Sequence, residues 1–155
     1  MTRVLAILAV GAMHIAMGQA RADEPLIGVW KLEAQELNGQ KTDFEALTLR
    51  IAQSGDRLAF AFSVPVNNIH YLSMQYVVRL NGTESEVKNG QGEKIGSIKM
   101  TKSGPFVYAF TLEGQNRPQT SGKLTVSADG KSLISESDGT QAGKSVHLRQ
   151  RFGRP

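Results

Sequence analysis

Residues 106–112, FVYAFTL, decide the fold, because large apolar side chains alternate along them with mostly smaller ones. A period of two is that of a β-strand, whose successive side chains point to opposite faces of a sheet. The alternation therefore predicts a strand that buries one face. The same pattern recurs at residues 47–51, 58–62 and 72–80, each beside a turn that contains glycine.

Short strands of this kind follow one another at nearly even spacing along the chain, which is typical of a sandwich or a barrel. Most connections are short, so each strand is expected to pair with its sequence neighbour. We therefore predict an all-β fold, an antiparallel up-and-down β-barrel of about eight to ten short strands. Residues 43–53 leave an alternative open, since Phe44, Leu47 and Ile51 would also suit one face of a short helix.

The beginning of the chain has the composition of a secretory signal peptide. Arg3 supplies a positive charge, residues 4–17 form an apolar run, and residues 20–22, ARA, give the small-x-small pattern of a cleavage site. The apolar run is shorter than the ~20 residues that span a bilayer, which disfavours a membrane anchor. The sequence thus predicts a signal peptide at residues 1–22 and one domain at residues 23–155, exported to the periplasm or secreted.

Charge and composition argue against several classes of function. The chain has 18 basic and 14 acidic residues, for a net charge of +4, and no run of three basic residues. A nucleic-acid partner is therefore not indicated. The absence of cysteine excludes disulfides, thiolate nucleophiles and cysteine-based metal sites. We expect no cofactor and no metal.

Residues 28–30, GVW, lie on the first predicted strand, and the last predicted strand contains arginine. This arrangement resembles the lipocalin and wider calycin pattern. The resemblance implies that Gly28 and Trp30 close one end of a barrel, with Arg149 or Arg151 packed over the indole. Such a cation–π contact is worth ~0.5–2 kcal/mol, depending on desolvation.

Further segments look like those of small exported bacterial lipocalin-like proteins. They are residues 26–32, the turn at 80–82, residues 126–133 (VSADGKSL) and residues 146–150. The chain departs from that pattern with Val29 for threonine, Asn81 for aspartate, and no tyrosine in the last strand. Members of that group mostly lack an assigned activity, so the resemblance implies a fold and not a substrate.

One face of the predicted strands is rich in large side chains. Facing inward, these residues would line a pocket for a small apolar ligand, or else pack into a filled core. An eight-stranded barrel is wide enough for either arrangement, and the tyrosines favour the pocket slightly, since a buried phenol needs a polar partner. The candidate ligand-binding residues are Phe60, Phe62, Met74, Tyr76, Phe106, Tyr108 and Phe110.

No catalytic residue is predicted. His70 and His147 are the only histidines beyond residue 22, and neither the H-E-x-x-H spacing nor a G-x-S-x-G elbow occurs. Three hypotheses remain. The protein is a non-enzymatic binder of a small apolar or amphipathic ligand, a structural or interaction protein of the cell envelope with a filled barrel, or an acid–base enzyme that uses His70, a tyrosine and a carboxylate.

Overall fold

The structure is a computed structural model that describes residues 23–155, and the predicted signal peptide lies outside the described residues. Within this range there are eleven strands, and no helix is long and apolar enough to cross a membrane. The strands are β1 Gly28–Leu37, β2 Gln40–Lys41, β3 Thr48–Ser54, β4 Arg57–Val66, β5 Ile69–Val78, β6 Ser85–Asn89, β7 Lys94–Gly104, β8 Val107–Gly114, β9 Thr120–Val126, β10 Ser132–Gln141 and β11 Lys144–Gly153.

The strands form a closed barrel. From β3 to β11 each strand pairs with the next one in the chain, and β1 joins β3 to β11, which closes the sheet on itself. All pairings are antiparallel, with Leu32 opposite Phe152 and Gln35 opposite Gln150 at the closure. Strand β2 is a two-residue strand beside the end of β1. The predicted all-β, up-and-down barrel is therefore confirmed, with ten strands in its wall.

The sharpest hairpins have turns that the backbone conformation explains. Asn67 and Asn68, between β4 and β5, have φ of 50° and 62°. Ala142 and Gly143, between β10 and β11, have φ of 50° and 75°. Positive φ at both central residues suits a type I′ turn, whose twist matches that of the flanking strands.

The structure decides two local points. Asn81 and Gly82, in the turn at residues 80–82, do not form a two-residue hairpin turn, because residues 79–84 connect β5 to β6. Only Gly82 has a positive φ, 83°, while Asn81 forms an isolated bridge with Thr101. The helical alternative at residues 43–53 also fails, because Thr48–Ser54 is strand β3 and buries Leu49 and Ile51.

The two ends of the barrel differ. The buried apolar side chains include Leu26, Trp30, Tyr108 and Leu133, which are completely inaccessible to solvent. They lie towards the end from which β1 starts, here named the Trp30 end. The opposite end is named the far end. It is formed by the connections at residues 38–47, 67–68, 90–93, 115–119 and 142–143.

Candidate functional site: a cavity towards the far end

Trp30 closes one end of the barrel. Its side chain is fully buried, and its indole N–H donates a hydrogen bond of 2.8 Å to the carbonyl oxygen of Leu26. The guanidinium carbon of Arg154 lies 4.0 Å from the centre of the indole ring. Arg154 also donates hydrogen bonds to the carbonyl oxygens of Gly130, at 2.6 Å, and Pro25, at 3.1 Å. This residue therefore connects the segment that precedes β1 and the β9–β10 turn over the indole.

The basic residue over Trp30 was expected to be Arg149 or Arg151, and the structure corrects this. Both point away from the barrel interior: Arg149 lies near Glu136, and Arg151 lies 3.5 Å from Glu33. In β11 they alternate with Phe152, whose side chain is buried inside. Strand alternation therefore places them on the outer surface.

Position 28, beside Arg154, requires a glycine for two reasons. Its φ is 143°, a conformation that residues with a Cβ rarely adopt, and a Cβ there would overlap the Arg154 guanidinium.

A polar cluster secures the same end. The hydroxyl of Tyr108 donates a hydrogen bond to the Glu24 carboxylate, and Lys102 Nζ lies 2.9 Å from the same carboxylate. Burial raises the pKa of Tyr108, and the hydrogen bond to Glu24 and the charge on Glu24 raise it further. The Tyr108 phenol therefore stays protonated and holds the N-terminal segment against the barrel.

The barrel interior is not filled. A cavity of about 280 Å³ lies between the buried core and the far end, just below the ~300–1,000 Å³ typical of ligand pockets. Barrel diameter grows with strand number, and eight strands already hold one small ligand. Ten strands therefore leave room that the side chains do not occupy.

An aromatic wall, formed by Phe62, Tyr76 and Phe110 with Met74, lines one side of this cavity. Tyr76 stacks on Phe60, with ring centroids 4.8 Å apart, and packs against Phe62 at 5.9 Å. Burial raises the pKa of Tyr76, which keeps its phenol neutral. The wall is thus rigid, apolar and uncharged, apart from one hydroxyl.

The structure places the seven candidate ligand residues in three settings. Phe62, Met74, Tyr76 and Phe110 line the cavity. Phe60 and Tyr108 are buried outside the cavity lining. Phe106 was expected to point inward, but it is 38% exposed. It precedes β8 in the tight β7–β8 turn, where a register shift before Gly104 breaks the alternation.

The opposite side of the cavity was not predicted from the sequence. There, β9, β10 and β11 contribute a polar strip, formed by Thr120, Ser135, Ser137 and Gln150. The remaining lining residues are apolar: Leu49, Ile98, Leu112, Leu124, Leu148 and Phe152. One signal in the sequence could have indicated that these serines face inward: Ser135 and Ser137 follow the buried Leu133 at spacings of two residues.

The polar strip has unused hydrogen-bonding capacity. The Gln150 amide donates to Gln35 at 2.8 Å, and its own oxygen accepts no hydrogen bond from the described residues. The hydroxyls of Thr120, Ser135 and Ser137 likewise have no hydrogen-bond partner among residues 23–155. Among the described residues, no side-chain nitrogen or oxygen atom is completely buried without a hydrogen-bond partner. Buried hydroxyls in a packed core find partners, so these ones face accessible space.

The far end carries an unusual amount of apolar surface. Of the nine exposed large apolar residues among those described, seven lie on it or next to it. Beside the cavity, a more open recess of about 430 Å³ shares Met74, Leu112 and Thr120 with it and includes Arg117. The seven exposed residues are Leu37, Phe44, Val66, Ile69, Tyr71, Leu72 and Ile95.

No family profile and no curated protein matches this sequence. Among solved structures, the zebrafish ileal bile acid-binding protein complexed with cholic acid is similar, with a TM-score of 0.58 and 21% identity over 84% of this chain and 99% of that one. The siderocalin Ex-FABP matches with a TM-score of 0.40 and 12% identity, over 84% of this chain and 71% of that one. At such identity the first match shows the fold alone: this chain is a closed antiparallel β-barrel with an arrangement of strands similar to that of the zebrafish protein.

Proposed function

We propose that this protein is an exported, non-enzymatic barrel that binds one small apolar or amphipathic molecule. The observation that carries the proposal is the cavity of about 280 Å³ behind the aromatic wall. Rigid aromatic surface facing an unfilled space provides favourable burial for an apolar ligand, about 25 cal/mol per Å² removed from water.

The surroundings of the cavity support this proposal. The apolar residues of the far end lie where a ligand would enter, while the Trp30 end is closed by Arg154 and Glu24. The similar zebrafish barrel was solved with cholic acid, an amphipathic molecule.

The two rival hypotheses have less support. An envelope protein with a filled barrel would leave no cavity between Phe62 and Gln150. The acid–base hypothesis needs His70 beside a tyrosine in a pocket. His70 instead lies near the tip of the β4–β5 hairpin, is exposed and does not line the cavity.

A titration with N-phenyl-1-naphthylamine, an uncharged dye that fluoresces in apolar surroundings, tests the proposal. We expect saturable binding with one dye per chain, since the cavity admits one molecule of this size. Native mass spectrometry of protein purified from its own host should then show a co-purifying small molecule in the same site. A dye that stays dark at every protein concentration would refute ligand binding in the barrel.

We further propose export with removal of residues 1–22, because the apolar run at residues 4–17 and the ARA pattern are those of a cleaved signal peptide. N-terminal sequencing of the protein from its host should begin at Asp23, within about two residues. An intact Met1 in a membrane fraction would contradict this proposal.

A further inference from the structure

We infer that the ligand is an uncharged amphipath, whose apolar body packs on the aromatic wall and whose hydroxyl, carbonyl or amide group meets the polar strip. This inference rests on the proposed function and names its ligand class. It depends on the composition of the two sides of one cavity.

The cavity lining is electrically neutral. Among the described residues, none of those lining the cavity is charged. An ion brought into such a space loses its hydration and gains no counter-charge, which costs far more than burying a neutral polar group. The cavity therefore discriminates against carboxylates and ammonium groups.

The polar strip presents neutral hydrogen-bonding groups to the cavity. Ser135 lies directly opposite Gln150 in the β10–β11 pairing, and Ser137 follows two residues later on the same face. Together with Thr120, these residues supply three hydroxyl groups, which can donate and accept hydrogen bonds, and one amide oxygen. No described residue donates a hydrogen bond to that oxygen. A purely apolar ligand would leave these groups desolvated and unpaired, whereas a ligand with one neutral polar group would satisfy them.

Tyr76, which belongs to the aromatic wall, carries the one polar group on that side of the cavity. It is 7% exposed, lines the cavity and has a single hydroxyl. Because burial raises its pKa, this hydroxyl is a neutral donor.

A charged group near the cavity provides the rival interpretation. Arg117 lies in the neighbouring recess, with its side chain against Gly114. An anionic ligand could place its tail in the cavity and its carboxylate on Arg117. The Arg117→Gln variant separates the two arrangements, since only the rival needs this guanidinium.

The experiment compares four ligands that share a ten-carbon acyl or alkyl chain, by displacement of N-phenyl-1-naphthylamine at pH 7.5. Two of them, 1-decanol and methyl decanoate, are neutral. Decanoate is an anion at this pH and decylamine is a cation. We expect the neutral pair to bind at least about tenfold more tightly than either ion.

The Ser135→Ala, Ser137→Ala double variant should lower the affinity for 1-decanol about fivefold, which corresponds to the loss of roughly one hydrogen bond. The control Ser121→Ala, on the outer face of β9, should have no effect.

The outcomes separate the two proposals. Decanoate binding as tightly as 1-decanol, or dye binding without displacement by 1-decanol, overturns the inference while leaving a ligand-binding barrel. Decanoate affinity that falls in Arg117→Gln would identify the rival arrangement. A chain that binds neither the dye nor any of the four compounds refutes the proposed function, and the inference falls with it.

Discussion

Trp30→Ala should lower the free energy of unfolding by about 3–5 kcal/mol, as deletions of large core aromatics do. The indole is fully buried, donates a hydrogen bond to Leu26 and carries the Arg154 guanidinium on its face. Its removal would leave a void at the closed end and free both terminal segments. Denaturant unfolding of the chain without residues 1–22 measures this change.

The matched control is Phe106→Ala, which truncates an exposed aromatic in the turn before β8. Surface truncations away from caps and networks change stability by about 0.5 kcal/mol or less. If Trp30→Ala cost less than about 1 kcal/mol, Trp30 would not be the closure of the barrel.

Ser137→Phe should reduce the affinity for N-phenyl-1-naphthylamine by at least about tenfold, by placing a ring where the dye packs. Ser137 faces the cavity from β10. Because the space there is empty, the added ring should leave stability unchanged or raise it by ~0.5–2 kcal/mol, as cavity filling does. Dye titration and thermal unfolding of the same variant measure both effects.

Thr140→Phe serves as control, because Thr140 is exposed and lies on the outward register of the same strand. It should leave the dye affinity unchanged. Two results would argue for a filled barrel: a Ser137→Phe variant that binds dye like the parent, or one that loses ~1–3 kcal/mol, as overpacked cores do.

The sequence predicted the fold well wherever large side chains alternate with small ones. Residues 58–62 and 108–112 show this pattern, and a one-residue slip there would put phenylalanine in water. Strand β6 was not predicted, because Val87 is its only apolar residue and the other residues of the strand are polar. Asp138–Gly139 has the composition of a turn, yet both strands of the last hairpin continue past it to the turn at Ala142–Gly143.

The cavity was predictable only on its apolar side. The large apolar side chains of Phe62 and Phe110 indicate a buried face. In a sequence, serines on an inner face cannot be distinguished from serines that face solvent. Arg154 was missed because it lies beyond the end of β11, where no alternation indicates its direction. Cavity volume was beyond prediction, since it depends on the strand number and on how completely the side chains fill the interior.

A crystal structure of the protein with N-phenyl-1-naphthylamine would show whether the barrel interior binds a ligand. We expect one dye molecule inside the barrel, against Phe62, Tyr76 and Phe110, with its amine towards Ser135, Ser137 or Gln150. A barrel interior closed by its own side chains, with the dye absent or bound only on the outside, would contradict this expectation.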